Sequence, residues 1–354
     1  MQIKTTPEAL RAVENFTLPE ELGFGRVMAP VMVEANYQDG QWSDFNLVPY
    51  GPISMLPTSK VLHYGQEIFE GLKSYRIGGN GPFLFRPDQN AKRFNHSARR
   101  MAMPEVPVEN FVEAVKELSS VCAKIIPRRS GESLYIRPFM FSTEEALGIK
   151  PSDSFKFMIV ASPSGSYFSG GTISVLIERS AVRAAPGGTG NAKTGGNYAA
   201  ALSAAIETKK LGHDQTLWLD AITRKNIEEM SGMNFACIID NKLVTPAITD
   251  TILEGITRNS LLKIAPLLDL QVEEKKLTID ELIAAIQDGR CTEAFACGTA
   301  AILTPIHQIA EKDGTIYKLS KAPGPKSTAL RQALLDIQEG RRESPDKNWV
   351  INLG

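Results

Sequence analysis

Apolar and polar positions change period repeatedly along the chain, and each change predicts an element. Residues Arg26 to Gln41 read as strands around Asp39-Gly40, a hairpin signal. Pro82-Phe83-Leu84-Phe85 is an apolar strand, after which Asp88 can cap a helix covering Gln89 to Met101. Phe111, Val115, Leu118 and Cys122 recur at helical spacing, which predicts an amphipathic helix from Val108 to Ile125, ended by Pro127. Ser133 to Ser142 and Phe155 to Ser162 read as strands. The small, polar stretch Pro163 to Gly171 then interrupts the pattern near mid-chain and is the best linker in it.

Beyond the linker the pattern restarts. A strand at Thr172 to Glu178 leads into the Gly-rich stretch Pro186 to Asn197, and an Ala-rich helix runs from Tyr198 to Leu211, stopped by Gly212. Strands follow at Thr216–Asp220, Ile227–Met230 and Met233–Ile239, and Asp240-Asn241 turns the chain into Lys242–Thr245. Thr278-Ile279-Asp280-Glu281 is a capping box opening the helix Glu281 to Gln287. Glu293 to Ala300 reads as a buried strand. Mixed strands and helices in both halves predict an α/β protein of the α+β type, with two domains and a cleft between them.

Composition narrows the class. The 354 residues are 43% hydrophobic, enough for sizeable cores. Lys and Arg number 39 against 40 Asp and Glu, a net charge of −1. Nucleic acids and anionic membranes favour a basic excess, so neither is an expected partner. No apolar run approaches the ~20 residues that cross a bilayer. The N-terminal stretch, with Glu8, Glu14, Glu20 and Glu21, follows neither a secretory nor an organellar pattern, and the expectation is a cytoplasmic enzyme. Cys122, Cys237, Cys291 and Cys297 form no C-x-x-C pair, and His63, His96, His213 and His307 are scattered, so no metal site is expected.

The stretch Gly187-Gly188-Thr189-Gly190-Asn191-Ala192-Lys193-Thr194-Gly195-Gly196-Asn197-Tyr198 carries the most chemistry. It misses the P-loop pattern by one residue, Ala192 standing where a glycine should free the backbone around a phosphate. Gly195-Gly196 should also break the first helical turn that a P-loop requires, at ~1 kcal/mol per Gly. In the second reading Lys193 forms an imine with a planar cofactor such as pyridoxal phosphate. Such a site needs a phenolate donor, for which Tyr198 is placed, and an acid against the pyridine nitrogen, which Glu228-Glu229 can supply. Strand alternation turns one of those two glutamates inward, unless both lie on a solvated edge.

Lys193-Thr194-Gly195-Gly196-Asn197-Tyr198, Glu229-Met230-Ser231-Gly232-Met233-Asn234-Phe235 and Glu254-Gly255-Ile256-Thr257-Arg258 together resemble the fold-type IV pyridoxal-phosphate family. Phe69-Glu70-Gly71-Leu72-Lys73, Tyr135-Ile136-Arg137-Pro138 and Cys297-Gly298-Thr299-Ala300-Ala301 resemble its branched-chain amino acid aminotransferases, and the similarity runs from about Phe24 to the Trp349 region. The resemblance implies a small N-terminal domain at 1–164, a linker at 165–174 and a large cofactor-binding domain at 175–354, with the active site in the interdomain cleft.

It also implies roles. Lys193 would be the Schiff-base lysine and the base that moves the substrate proton. Glu229 rather than Glu228 would partner the pyridine nitrogen, and Tyr198 the phenolate oxygen. Arg93, the amides of Ile256 and Thr257, and Thr299 would hold the phosphate. Tyr64, Phe69, Tyr135, Ile149 and Tyr167 would line an apolar side-chain pocket. Thr299 and Ala300 would meet the substrate's α-carboxylate, and Arg137 the second carboxylate of glutamate or 2-oxoglutarate. The implied reaction exchanges the amino group of L-leucine, L-isoleucine or L-valine with 2-oxoglutarate, the partners being small amino acids and 2-oxo acids. A homodimer or higher homo-oligomer is implied. D-amino acid transaminases and aminodeoxychorismate lyases share the Lys and Glu and stand as the alternatives, with the P-loop protein more remote.

Overall fold

A computed structural model describes residues 3–165 and 171–354. Tyr167 and the centre of the expected linker lie outside the described residues. The chain forms two compact units. One comprises the residues up to 165 together with 192–195 and 336–354; the other comprises 171–191 and 196–335.

The first unit is a mixed sheet covered by helices. Its backbone is the antiparallel series Val31–Gln38, Phe155–Ser164, Ser133–Ser142, Leu72–Ile77 and Asn80–Phe85. Asp39 and Gly40 both take positive φ, 53° and 78°, as a two-residue hairpin turn needs. The helices Pro87–Arg100 and Val108–Val121 turn apolar stripes into one core, where the rings of Phe94, Phe111 and Phe157 lie 5.5 to 5.9 Å apart. Burying each of these rings contributes on the order of 1.5–3 kcal/mol.

Two local expectations are corrected here. Asp88 does not cap its helix: Arg86 occupies the N-cap in a left-handed conformation, Pro87 opens the first turn, and Asp88 lies within that turn, accepting from Lys92. Proline is preorganised for the first helical position, so the helix starts two residues earlier and the acid stands two places inside the cap. The 175–354 block is not one domain either. Its last strand, Val350–Asn352, pairs antiparallel with Phe83–Phe85 of the first sheet, so the N-terminal unit is the longer of the two.

The second unit is built on a closed ring of strands. Ile227–Met230, Gln215–Leu219, Ile173–Glu178, Ile302–Ala310, Cys291–Gly298 and Asn234–Ile239 hydrogen-bond in that order, and the last pairs back to the first. Closure is made by Glu229 opposite Asn234. Every second residue of these strands, including Val175, Ile177, Leu217, Phe235 and Cys237, feeds one apolar core. Closing a sheet removes its edges and fixes the residues at the closure. Ala236, small at that place, is opposite the buried Phe295 in the ladder.

The Ala-rich helix begins at Gly195, three residues earlier than its sequence suggests. The Glu67 carboxylate accepts from the Gly195 amide, and a Cβ on residue 195 would strike that carboxylate. An acid on an orphan amide offsets the poor propensity of the glycine pair.

Candidate active site

In the first unit, one face of a helix builds the surroundings of Lys193. Asn90, Arg93 and Ser97 stand at i, i+3 and i+7, so they share a stripe beside the core-facing Ala91, Phe94 and Ala98. Ser97 Oγ accepts from the Lys193 amide at 2.8 Å, and the Lys193 carbonyl accepts from Phe69 N–H at 2.9 Å. Asn90 and Arg93 instead turn to Glu70, which is fully buried. Arg93 Nε and Nη2 donate to its two oxygens at 2.7 and 2.9 Å, and Asn90 Nδ2 donates at 2.7 Å. Burial by itself would raise the Glu70 carboxyl, but the charges of Arg93 and Lys193 hold it below its ordinary value. Glu70 is thus a buried acid at the heart of this cluster, and it entered the sequence reading only as part of a motif.

The Phe69 ring collects two cations. Lys193 Nζ and the Arg137 guanidinium each lie 4.7 Å from its centroid, within cation–π range. Tyr135, two residues from Arg137 on the strand Ser133–Ser142, shares its face and accepts from Arg137 Nη2 at 2.9 Å. Arg137 Nε is buried without a hydrogen-bond partner among the described residues. An amine, an apolar ring and a guanidinium with donor capacity therefore meet around one aromatic side chain.

The remaining pocket residues are not brought in. Ile149 is 89% exposed, and Tyr64 is 44% exposed with its hydroxyl donating to the Leu147 carbonyl. Both lie at the surface of this chain, Tyr64 at the end of the short helix Val61–Tyr64 and Ile149 in an irregular segment. Tyr167 is outside the described residues.

In the second unit the expected cofactor residues gather around the turn that closes the ring of strands. Glu229 is buried, and so is Glu228, which removes the solvated-edge reading for both. Glu229 Oε2 accepts from Asn234 Nδ2 at 3.2 Å and from Leu253 N–H at 3.0 Å, and its Oε1 lies 3.2 Å from Arg183 Nη1. Glu228 instead accepts from the Thr251 hydroxyl. Burial raises the Glu228 carboxyl above its ordinary value.

Close approaches tie the other members to the same turn. A Cβ at Gly232 would lie 3.7 Å from the Tyr198 ring, and one at Gly298 would lie 3.3 Å from Met233. Gly255 is the N-cap of the helix Ile256–Ile264, and a Cβ there would collide with Asn234 Oδ1. The first amides of that helix, those of Ile256 and Thr257, are unpaired within it by construction, which makes its N-terminus an anion site. The strand Cys291–Gly298 ends two residues before the sequence suggests, leaving Thr299 and Ala300 in the turn that enters Ile302 at φ 62°. A buried carboxylate, a phenol, a helix N-terminus and a hydroxyl-bearing turn thus lie against the one turn between Glu229 and Asn234. They fit a planar, protonated heteroaromatic ring bearing a phosphate.

Elsewhere the chain offers less. The Cys122 and Cys297 thiols are pushed up to about 12 by burial. Among the described residues no group of three or more His, Cys, Asp or Glu side chains could hold a metal ion.

This arrangement has known relatives. The description of the amino-transferase class IV family matches residues 67–309, and the chain belongs to that family. Its fold is the mixed α/β fold of the fold-type IV aminotransferases. Over 357 residues the chain is 44% identical to the probable branched-chain-amino-acid aminotransferase of Streptomyces coelicolor, covering 100% of this chain and 98% of that protein. It is 46% identical over 339 residues to the branched-chain-amino-acid aminotransferase of Mycolicibacterium smegmatis, covering 94% and 92%. The crystal structure of the branched-chain aminotransferase from Thermoproteus uzoniensis with norvaline superposes with a TM-score of 0.74 at 28% identity, covering 91% of this chain and 100% of that one.

Proposed function

We infer that this chain is a pyridoxal-phosphate-dependent transaminase that moves the amino group of L-leucine, L-isoleucine or L-valine to 2-oxoglutarate. The observation that carries the substrate choice is the Phe69 ring shared by Lys193 and Arg137. The bound cofactor supplies an aldehyde that takes up the amino group and a ring that accepts electrons from Cα. Every other part of the chemistry falls to the chain. Lys193 would hold the cofactor through its amine and would be the base that moves the proton at the substrate's Cα. Glu229 keeps a positive charge on the ring nitrogen. Tyr198 donates to the phenolate oxygen. The Ile256 and Thr257 amides and the Thr299 hydroxyl bind the phosphate. Arg93 adds charge, though Glu70 already occupies the Nε and Nη2 edge of its fork. Phe69 and Tyr135 exclude water from a branched side chain, and Arg137 receives the second carboxylate when glutamate or 2-oxoglutarate takes its place. Thr299 and Ala300 hold the α-carboxylate.

A homodimer is part of this reading. Leu62, Tyr64, Leu147 and Ile149 leave apolar surface exposed at 59, 44, 61 and 89%, and a second copy would cover it and add Ile149 to the pocket. No described helix is long and apolar enough to cross a membrane.

The test is a half-reaction screen that follows the cofactor's absorbance with L- and D-amino acids. L-Leucine, L-isoleucine, L-valine and L-glutamate should discharge the colour. Faster discharge by D-alanine than by L-leucine would reject the substrate assignment and leave the cofactor assignment standing.

A further inference from the structure

Arg183 belongs to none of the sequence motifs, yet it is 7% exposed in the loop that follows the strand Ile173–Glu178. Its Nη1 faces Glu229 Oε1 at 3.2 Å. Its Nη2 donates to the Thr251 carbonyl and, at 3.4 Å, to the Gly190 carbonyl, so the backbone fixes the guanidinium before it meets the acid. Its Nε is buried with no hydrogen-bond partner among the described residues. A buried charge with an unmatched donor costs stability, and a methionine could fill the same volume without that cost. Packing alone does not ask for arginine here.

A second buried cation, Arg258, whose charge also reaches Cys297, is paired with Glu274 at 2.6 Å. Asn234 and the Leu253 amide are neutral donors to Oε2, Cys297 is a buried thiol, and Glu228 is a second acid. Two adjacent buried carboxyls without a cation would favour protonation of one or both.

We propose that Arg183 is a positioning residue that keeps the Glu229 carboxylate ionised and oriented, and thereby sets how firmly the cofactor's ring nitrogen holds its proton. The proposal rests on the functional reading above. It acts through the ring nitrogen alone, which makes it separable from a merely structural role.

The experiment compares binding of pyridoxal phosphate with that of its carbocyclic analogue, in which carbon replaces the ring nitrogen, to cofactor-free enzyme by fluorescence titration. An opposite charge at this range shifts a carboxyl by about 1–3 pH units. Arg183→Gln should therefore weaken pyridoxal phosphate roughly tenfold or more, while the analogue binds wild type and variant alike. Arg183→Lys should restore part of the difference. Equal losses for both compounds, or no loss for either, overturn the proposal. Should Arg183→Gln fail to fold, Arg183→Lys is read in its place, with a smaller loss confined to pyridoxal phosphate as the supporting result and an equal loss for both as the contrary one. A wild-type chain that binds neither compound overturns the functional reading and the proposal with it.

Discussion

Around Lys193 the chain holds its functional groups with side-chain charge; around Glu229 it relies far more on backbone. In the first unit Glu70 gathers Arg93 and Asn90 and feels Lys193, while two cations share the Phe69 ring. In the second, Glu229 takes the Leu253 amide, Arg183 is anchored on two carbonyls, and the helix Ile256–Ile264 leaves its first amides unpaired within it. The first arrangement is expected to respond most to changes of charge at Glu70, with shape limited only where the backbone is crowded, as at Gly195. The second tolerates little change of shape at Gly255, where an added methyl would collide with Asn234 Oδ1.

Substitutions that separate charge from shape test this contrast, and the largest effect is expected at Lys193. Lys193→Ala removes the amine, and turnover should fall by at least the ~10²–10⁴-fold that a positioned proton-transfer group contributes. Retained turnover would remove Lys193 from its role. Glu70→Gln keeps the shape and deletes the charge. Removing one partner of a buried pair costs about 3–5 kcal/mol, and urea unfolding should show a loss of that order. A loss well under 1 kcal/mol would mean that the Arg93 pair matters little to stability. Gly255→Ala does the reverse, adding one methyl against Asn234 Oδ1 with no change in charge. Overpacking typically costs ~1–3 kcal/mol, and phosphate affinity of the cofactor-free enzyme should fall with it. Unchanged affinity for inorganic phosphate would refute the shape-limited view of that helix terminus.

The sequence makes some of this legible and hides the rest for physical reasons. The strands Ser133–Ser142 and Ile227–Met230 match their expected limits, although Pro138 in the first and the Glu228-Glu229 pair in the second are poor strand formers. Tyr135 and Arg137 are readable as same-face neighbours from period two alone. Glu70 is not: its partners come from a helix twenty or more residues away, and nothing local marks a carboxylate as buried. Arg183 is hidden because it sits in an irregular loop with no period to read. The early helix start at Gly195 follows from tertiary capping by Glu67, which overrides glycine propensity. The return of Val350–Asn352 to the first sheet is a three-residue strand, too short to announce itself.

A smaller effect sharpens the contrast within substrates. Arg137→Ala removes a charge-assisted donor worth about 1.5–3 kcal/mol. The kcat/KM for 2-oxoglutarate should therefore drop roughly 10- to 150-fold, while that for L-leucine changes only severalfold. Equal losses would assign Arg137 to packing of Phe69 and Tyr135 and not to carboxylate recognition.

The smallest effect concerns two acids three residues apart in the first unit, whose carboxyls shift in opposite directions. Burial raises Glu67 above its ordinary value near 4.5, and hydrogen bonds from Gly195 and Thr194 only partly offset this. Glu70, buried more deeply but paired, is lowered from the same value. A raised carboxyl contributes stability below its unfolded value and loses it as pH rises through the folded one. A lowered carboxyl contributes above the unfolded value and loses it as pH falls through the folded one. Glu70→Gln should therefore cost most at neutral pH, with the gap from wild type narrowing below about pH 4.5. Glu67→Gln should run the other way, with its cost relative to wild type largest in acid and shrinking as pH rises above about 4.5. Melting temperatures of the two variants and wild type between pH 4 and pH 8 decide the matter. Parallel profiles would mean that the Arg93 fork does not distinguish the two sites electrostatically, and the charge-held description of this unit would then fail at its central residue.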